Sequence, residues 1–379
     1  MGMAVQLPAP GKGSPNPQEV FAAGETALRE NRLDEAERDF RQVLALDPNI
    51  AGAYANLGVV HMRRKQWPQA LTALRKAEKL APSVVGIRLN IGLVYFRQNE
   101  FLSAIGPFES VLRQSPHSYQ ARYLLGLCYF FTNRWTDTVV ALDPLWAQAS
   151  DQLNYLYVLG LAAEKTKQTA LQEKAWTRLV EIGRDLPEFH LLMGKAHLNR
   201  NEHEQALREF QLAVLRDPRL PFVHFNLGAT YLRMRDYKQA RAEFQKDLEI
   251  EPDLAVTYEQ LGKLESLAGE PAAAEQYYRK AVSLDSKMID SRFALAKIEQ
   301  ERRNYRASLA QLDECVRFDK DNGNIRYFRG QVLLHMGREK EGRAELATAK
   351  TLMTQQRAAQ QKELDLEPVP SPELTRVPD

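Results

Sequence analysis

The sequence predicts an all-α solenoid of antiparallel helix pairs. One 34-residue pattern recurs without an insertion, so that a small residue stands at every 34th position along most of the chain. Each copy carries two apolar stripes with helical spacing, separated by a short polar loop. A fixed period of this length indicates units that bury their apolar faces by stacking on their neighbours. The recurring small residues are Gly24, Gly58, Gly92, Gly126, Gly160, Gly194, Gly228, Gly262, Ala296 and Gly330.

Ten repeats in constant phase can be numbered from position 1 to position 34. Apolar or small residues at positions 4, 7, 8 and 11 predict a first helix, helix A, and those at positions 20, 24 and 27 predict a second, helix B. The small residues at positions 8 and 20 predict a close approach of the two helices. The repeats begin at Pro17, Ala51, Val85, Tyr119, Leu153, Pro187, Pro221, Ala255, Ile289 and Gly323.

The repeated pattern resembles the tetratricopeptide repeat (TPR) family. The resemblance is carried by YANLGVVH…A…L…A…P at residues 54 to 82 and FNLGATY…A…F…D…P at residues 225 to 252, and the repeats cover about nine-tenths of the chain. It implies a right-handed superhelix whose helix A faces line a concave groove that binds peptides or protein segments. The expected function is therefore a noncatalytic scaffold or adaptor that holds an extended protein segment.

Some parts of the chain depart from the pattern. Pro144 lies inside helix B of repeat 4 and Gln172 occupies the small position of repeat 5, so we expect a bend there. Arg329, at a core position of repeat 10, predicts a polar cap. Residues 1–16 predict a flexible arm rich in glycine and proline, repeats fill 17–356, and 357–379 predict a helix extension followed by a disordered, proline-rich acidic tail.

Charge and composition exclude some functions. The 51 basic residues nearly balance 49 acidic ones, which leaves a net charge of +2 and no long basic block, so nonspecific nucleic-acid binding is not expected. No stretch approaches the roughly 18 apolar residues of a membrane span. The N-terminal residues do not resemble an export signal, which predicts a cytoplasmic protein, although a leader that had been removed would be invisible. The oligomeric state stays open.

Helix A should present positions 2, 5, 6, 9, 12 and 13 to the groove, since these lie opposite its buried face. The densest apolar group there predicts an anchor for a partner's apolar side chains, and flanking arginines predict contacts with its acidic groups. The alternative interpretation buries these rings in packing between repeats, and both stay open. The apolar group is Phe96, Tyr123, Leu127, Phe130, Phe131 and Tyr157, and the further groove candidates are Arg63, Arg97, Phe225 and Arg233.

Three asparagines share position 6 of helix A. Asn56, Asn90 and Asn226 match an asparagine ladder in the TPR arm of O-linked N-acetylglucosamine transferases, and the resemblance implies that their amides grip a ligand backbone. Other repeats lack the asparagine, and a solvated helix surface is the alternative interpretation. This resemblance suggests an alternative function as the substrate-recruiting or regulatory arm of an enzyme, such as a glycosyltransferase, that acts in trans.

The sequence gives no support for catalysis or for a cofactor. His190, His197 and His224 occupy core positions 4 and 11, so we expect satisfied core histidines rather than metal ligands. No HExxH, Walker A or dinucleotide-binding glycine motif occurs. Nucleophile, base and orienting group appear together nowhere, which predicts that the protein is not an enzyme and holds no metal.

Overall fold

The computed structural model describes residues 16–365, with side chains as far as residue 357, and contains no strand in that range. Nearly all of the predicted arm and the acidic tail lie outside the described residues. The chain divides between Asp185 and Leu186 into two compact parts, here called the N-terminal half and the C-terminal half. Repeats 1 to 5 form the first half and repeats 6 to 10 form the second.

In the N-terminal half, each repeat supplies a helix A and a helix B that pack together. The pairs are α1 (Pro17–Arg29) with α2 (Leu33–Leu46), α3 (Ala51–Arg63) with α4 (Trp67–Leu80), α5 (Val85–Arg97) with α6 (Phe101–Gln114), α7 (Tyr119–Phe131) with α8 (Trp135–Leu142) and α9 (Trp146–Ala149), and α10 (Leu153–Lys165) with α11 (Thr169–Gly183).

The C-terminal half repeats this arrangement. Its pairs are α12 (Pro187–Asn199) with α13 (His203–Arg216), α14 (Val223–Arg233) with α15 (Tyr237–Ile250), α16 (Ala255–Ala268) with α17 (Pro271–Leu284), α18 (Ile289–Glu301) with α19 (Tyr305–Phe318), and α20 (Gly323–His335) with α21 (Glu339–Asp365).

The close approach of the two helices is confirmed at position 8. A Cβ atom added to Gly228 would lie 2.7 Å from ring atoms of Phe244, the position 24 residue of the same repeat. Equivalent contacts occur at Gly92 and Gly194, each against a phenylalanine at position 24. Position 20 is fully buried wherever alanine occupies it, as at Ala240. Small residues at these positions therefore allow the helices to pack at short distance.

The turn between helix A and helix B has one conformation in all ten repeats. The residue at position 15 has a positive φ, and the next residue's N–H donates to the carbonyl at position 11, as Gln66 does to His61 at 2.8 Å. This geometry ends a helix and satisfies its last carbonyls. The left-handed residues are Asn31, Lys65, Asn99, Asn133, Lys167, Asn201, Arg235, Gly269, Arg303 and Gly337.

The buried arc of helix A is wider than the apolar pattern predicted. Positions 3 and 10 are also buried, for example Ile87 and Val94 in α5. These positions are buried because helix A packs both on its own helix B and on helix B of the preceding repeat, as α5 does on α6 and α4. Position 4, in contrast, is only half-buried at Tyr54, Arg88 and Arg122.

Helix B of repeat 4 is interrupted at Pro144. Helix α8 ends at Leu142, a single 3-10 turn follows at Asp143–Leu145, and α9 continues the chain. Proline removes a backbone donor, and its ring clashes with the preceding turn. The buried hydroxyl of Tyr155 donates to the carbonyl of Leu142 at 3.1 Å, which satisfies one acceptor at the break.

Candidate partner-binding surface

Helix A presents one face away from its buried arc. This A-face consists of the side chains at positions 2, 5, 6, 9, 12 and 13. Position 13 is exposed in every repeat, whereas position 5 is half-buried or buried in all repeats except repeat 10. The A-face therefore combines an exposed row with partly buried side chains that support it.

The predicted apolar group separates into two sets. Phe96, Phe130 and Phe131 join two rings that the groove prediction did not include, Phe101 and Trp135, and the five form what we call the aromatic edge cluster. Phe101 contacts Phe96 edge-on at 5.4 Å and stacks on Phe131 at 4.5 Å between ring centroids. Phe130 contacts both Phe131 and Trp135 edge-on at 5.5 Å. The rings form a continuous chain across repeats 3 and 4.

Exposure within the cluster is concentrated on one ring. Phe131 is 51% exposed, while the other four rings are half-buried. Stacking on Phe101 and the contact with Phe130 hold the Phe131 ring in place. A ring that is already ordered loses little rotamer freedom when a partner covers it.

Tyr123, Leu127 and Tyr157 lie outside this cluster. Tyr157 is 7% exposed, and its ring contacts Trp176 of α11 at 6.1 Å, so it belongs to the packing within repeat 5. Tyr123 stacks on Tyr119 at 5.9 Å, and burial raises its pKa. Leu127 is half-buried at position 9. Sequence reasoning grouped these residues with the phenylalanines because it could not tell which rings of the neighbouring helices each side chain would contact.

Phe101 and Trp135 share position 17, the first residue of helix B. The signal that could have identified them is a row of aromatic residues at that position. The row comprises Trp67, Phe101, Trp135, Tyr237 and Tyr305.

The arginines proposed for the groove differ in their engagement. An Nη atom of Arg63 donates to the carbonyl of Leu28 and contacts Asn31 Oδ1 at 3.4 Å. Arg97 and Arg233 are exposed, and neither side chain has a partner among the described residues. Arg97 directly follows Phe96 of the aromatic edge cluster, so an uncommitted cation borders these rings.

The three asparagines at position 6 also differ. Asn226 is 9% exposed, and its Nδ2 donates to the carbonyl of Phe222 at 2.7 Å. Phe222 has a positive φ of 66°, and α14 begins only after it, so the Asn226 amide stabilises the start of that helix. Asn56 and Asn90 are half-buried and make no side-chain hydrogen bond within the described residues.

Phe225 belongs to the C-terminal half. Its half-buried ring lies 6.0 Å from Phe244, and its N–H donates to Asp247 Oδ1 at 3.2 Å. Thr257 donates to the other oxygen of Asp247 at 2.6 Å, while burial raises the pKa of this carboxyl group. Phe225 is thus part of a packed polar junction between repeats 7 and 8.

Each of the three candidate histidines pairs with a glutamate. Nδ1 of His190 lies 2.7 Å from Glu209, Nδ1 of His197 lies 2.6 Å from Glu202, and Nδ1 of His224 lies 2.6 Å from Glu243. Within the described residues, no three ligand-type side chains converge in a way that could hold a metal ion. These pairs have a structural role. His190–Glu209 and His224–Glu243 join helix A to helix B, and His197–Glu202 closes the turn between the two helices.

Comparison with known proteins identifies the repeat. Two models described as tetratricopeptide repeat match the chain, one at residues 21–84 and 89–142 and the other at 219–287. The chain belongs to the tetratricopeptide repeat (TPR) family. The predicted all-α solenoid of helix pairs is confirmed, and TPR proteins are typically noncatalytic and mediate contacts between proteins. No curated protein matches the chain significantly.

Solved structures are similar to the chain in fold. A TPR protein from Parabacteroides merdae has a TM-score of 0.50 at 17% identity, covering 74% of this chain and 97% of its own. The Cut9–Hcn1 assembly of the APC/C reaches 0.48 at 12% identity, covering 89% and 73%. MamA from Desulfovibrio magneticus RS-1 reaches 0.41 at 20% identity, covering 44% and 95%. At such low identity, the first of these similarities supports the shared fold alone.

Among the helices of the described residues, none has the length and apolar character that a membrane crossing requires.

Proposed function

We propose that this TPR protein is a noncatalytic scaffold or adaptor, which holds an extended protein segment against the A-face of its N-terminal half. The observation that carries the proposal is the aromatic edge cluster, whose exposed ring, Phe131, is supported by four others. Aromatic side chains that are clustered and already ordered before binding often contribute most of the binding free energy of a protein interface.

The proposed partner presents apolar side chains next to acidic groups. Position 9 of repeats 2 to 5 is apolar throughout, and position 2 of repeats 1 to 5 is uncharged. The cations are concentrated at position 13, where Arg97 is exposed and uncommitted. An apolar strip beside a row of cations is complementary to a segment in which hydrophobic and acidic residues alternate or adjoin. Of the position 9 residues, Val59, Leu93 and Leu127 are half-buried and form the strip, whereas Leu161 is buried.

The alternative, an arm for an enzyme such as a glycosyltransferase acting in trans, has weaker support. It relied on three asparagines, and the amide of Asn226 is engaged with Phe222. Only Asn56 and Asn90, in neighbouring repeats, keep unengaged amides. Two amides do not make a ladder along the groove, so we favour the scaffold.

The test is affinity capture with mass spectrometry, using the wild type beside Phe131→Ala. We expect partners to be lost or their affinity to fall at least about tenfold, because truncating a dominant interface aromatic costs about 2 kcal/mol or more. Phe131→Tyr keeps the ring and should keep the partners. Leu215→Ala is the matched control, since Leu215 is 78% exposed but lies on helix B, away from the A-face.

Thermal unfolding of each variant distinguishes binding from folding. Because half of the Phe131 surface is already exposed, Phe131→Ala should leave the melting temperature nearly unchanged. If Phe131→Ala melted like the wild type and still captured every partner with unchanged affinity, the aromatic edge cluster would not be the anchor.

A further inference from the structure

A second candidate site is an opening in the N-terminal half, between α4, α5 and α6, with a volume of about 490 Å³. Helix α5 contributes Arg88 and Tyr95 to it, at positions 4 and 11. At 100° per residue, Arg88 and Tyr95 lie about 140° and about 160° around the helix from Leu93 of the A-face. The opening is therefore separate from the proposed partner-binding surface. Its lining is Arg75, Glu78, Lys79, Arg88, Ile91, Tyr95, Ser103, Gly106, Pro107 and Ser110.

The opening carries more positive than negative charge. Arg75, Lys79 and Arg88 line it, and Glu78 is its one carboxylate. An Nη atom of Arg75 donates to the Tyr95 hydroxyl at 2.6 Å, and Lys79 has no side-chain partner among the described residues. None of the three cations is paired with a carboxylate in that part of the chain.

Arg88 is the most deeply placed of these cations. Its two Nη atoms donate to the carbonyl of Pro82 and to Gln114 Oε1, each at 2.6 Å. Its Nε is buried and has no hydrogen-bond partner. A buried guanidinium nitrogen without an acceptor is costly, so an acceptor supplied by a ligand would be stabilising.

Other repeats supply a carboxylate where this one does not. At positions 4 and 23, His190 meets Glu209, His224 meets Glu243 and Arg326 meets Glu345. In repeat 3, position 4 is Arg88 and position 23 is Pro107. The carboxylate that pairs with position 4 in repeats 6, 7 and 10 is therefore absent in repeat 3, as it is beside Arg122 in repeat 4 and Arg292 in repeat 9.

The carboxylate that pairs with the position 25 arginine of repeat 8 also has no counterpart here. Position 25 of repeat 8 is Arg279, which meets Glu299 at position 11 of the next repeat at 3.0 Å. The equivalent pair in repeats 2 and 3 is Arg75 and Tyr95, so a neutral hydroxyl replaces the carboxylate. Two cations that have no paired carboxylate thus converge on one opening.

Helix α6 leaves space and polar groups at the same opening. A Cβ atom at Gly106 would meet nothing within 4 Å, and Pro107 has no N–H to give to the carbonyl of Ser103. The hydroxyls of Ser103 and Ser110 line the opening and make no hydrogen bond within the described residues. The hydroxyl, guanidinium and ammonium groups together offer more hydrogen-bond donors than the two oxygens of one carboxylate can accept. A phosphoryl group offers three strong acceptor oxygens.

We infer that this opening binds a phosphoryl group carried by a phosphorylated serine of a partner protein. Arg88 and Arg75 contact the phosphoryl oxygens in place of the missing internal carboxylates, and Lys79 neutralises the second charge. The seryl hydroxyls and the open space beside Gly106 accommodate the remaining oxygen and the peptide.

The first experiment titrates the full chain with a short peptide of alanine and glycine around one phosphoserine, measured by calorimetry. The double variant Arg75→Gln/Arg88→Gln should bind at least about tenfold more weakly, because it loses two charge-assisted contacts. The control Arg208→Gln/Arg216→Gln removes the same charge from two exposed arginines of α13, in the C-terminal half, and should bind within about twofold of the wild type. Equal losses in both variants, or no saturable binding by the wild type, would overturn the inference.

A second variant protects the test against misfolding. Pro107→Glu places a carboxylate at position 23, as in repeats 6, 7 and 10, without removing a cation. It should pair with Arg88 and abolish phosphopeptide binding, while the melting temperature stays equal or rises because a proline leaves the helix interior. Unchanged phosphopeptide affinity in Pro107→Glu would contradict the inference.

The source of the phosphoryl group is tested with three probes. The phosphoserine peptide should bind more tightly than inorganic phosphate, and the unphosphorylated peptide should not bind. Equal affinity for inorganic phosphate and the phosphopeptide would overturn the assignment to a partner's side chain.

Discussion

At the scale of single residues, His224 links a helix pair through two acceptors. Its Nδ1 lies 2.6 Å from the Glu243 carboxylate and its Nε2 lies 3.0 Å from the carbonyl of Pro218. Both ring nitrogens can donate only when the imidazole is protonated. The hydrogen bond that His224 donates to the Glu243 carboxylate raises the pKa of His224, against an opposing effect of burial and of nearby Lys246. The Glu243 carboxylate accepts from His224 and Lys246, and its pKa is lowered although burial opposes this.

The pair predicts a pH-dependent stability. A raised histidine pKa contributes stability that is complete below the unfolded value of about 6.5 and is lost as pH rises through the folded value. The lowered Glu243 pKa contributes stability that is present above about 4.5 and is lost as pH falls through its folded value. We therefore expect His224→Gln to reduce the free energy of unfolding most between these two limits and least at alkaline pH.

Urea unfolding at pH 5.5 and pH 9 measures the His224 effect. His117→Gln is the control, because His117 is exposed in the turn after α6 and should change stability little at either pH. A His224→Gln variant whose destabilisation did not shrink at pH 9 would show that the imidazole acts in its neutral form.

At the scale of the helix pair, packing depends on the contact between positions 8 and 24. In nine of the ten repeats position 8 is glycine, and in most of these a Cβ atom would come within 3.0 Å of the position 24 side chain. Gly160 is looser, with 3.1 Å to Trp176, in the repeat that also lacks the small residue at position 20. The looser contact at position 8 and the larger residue at position 20 therefore occur in the same repeat, since a larger residue at position 20 changes how closely the helices can approach.

Gly228→Leu should destabilise its half of the molecule by about 1–3 kcal/mol or more, because the added side chain must displace the fully buried ring of Phe244. Chemical denaturation monitored by circular dichroism measures the loss. Gly86→Ala is the matched control, since a Cβ atom there meets nothing within 4 Å and alanine favours the helix. Equal stability of the Gly228→Leu variant and the wild type would show that the helices can separate without cost.

At the scale of the whole chain, each half has its own buried clusters. One cluster in the N-terminal half is built around Phe40 and Val43, and one in the C-terminal half around Phe210 and Leu227. Contacts in a repeat array link mainly neighbouring repeats, so stability is close to a sum of local terms. Each half therefore contains the packing that its own helices need.

Fragments that end at Asp185 or begin at Leu186 should each fold and unfold cooperatively. Neither cut divides a helix, since α11 ends at Gly183 and α12 begins at Pro187. Circular dichroism and hydrogen exchange on the two fragments test this, with a fragment ending at Gly160, inside α10, as the control that divides a repeat. A half that showed no cooperative transition would indicate that its helices require the other half.

Sequence reasoning predicted most of the fold because the pattern is local and repeated. Gly228 and Phe244 stand in one repeat, and the same pair of positions recurs at Gly92 and Phe108, so the small residue and its large neighbour could be read from spacing alone. The left-handed turn residues were missed because position 15 is asparagine, lysine, arginine or glycine in different repeats. No single residue type therefore marks this position in the sequence.

The grouping of the candidate aromatic residues was predicted less well, because which rings a side chain contacts depends on the helices packed around its own. Tyr123, Phe130 and Tyr157 form one apolar group in the sequence, yet Phe130 joins Phe131 and Trp135 while Tyr157 packs on Trp176. Periodicity specifies the angle of a residue around its own helix and says nothing of the rings brought by the next helix B.

The sequence by itself determined the repeat length, the helix pairs, the close approach at position 8 and the family, since each follows from short-range spacing repeated ten times. Only the tertiary structure decided which aromatic rings form the edge cluster, that Asn226 is engaged, and that Arg75 and Arg88 converge on one opening while neither is paired with a carboxylate. The physical reason is that these features depend on which groups meet in three dimensions, within a repeat as well as between repeats, and a single residue such as Pro107 can remove a carboxylate from beside Arg88 without disturbing the pattern.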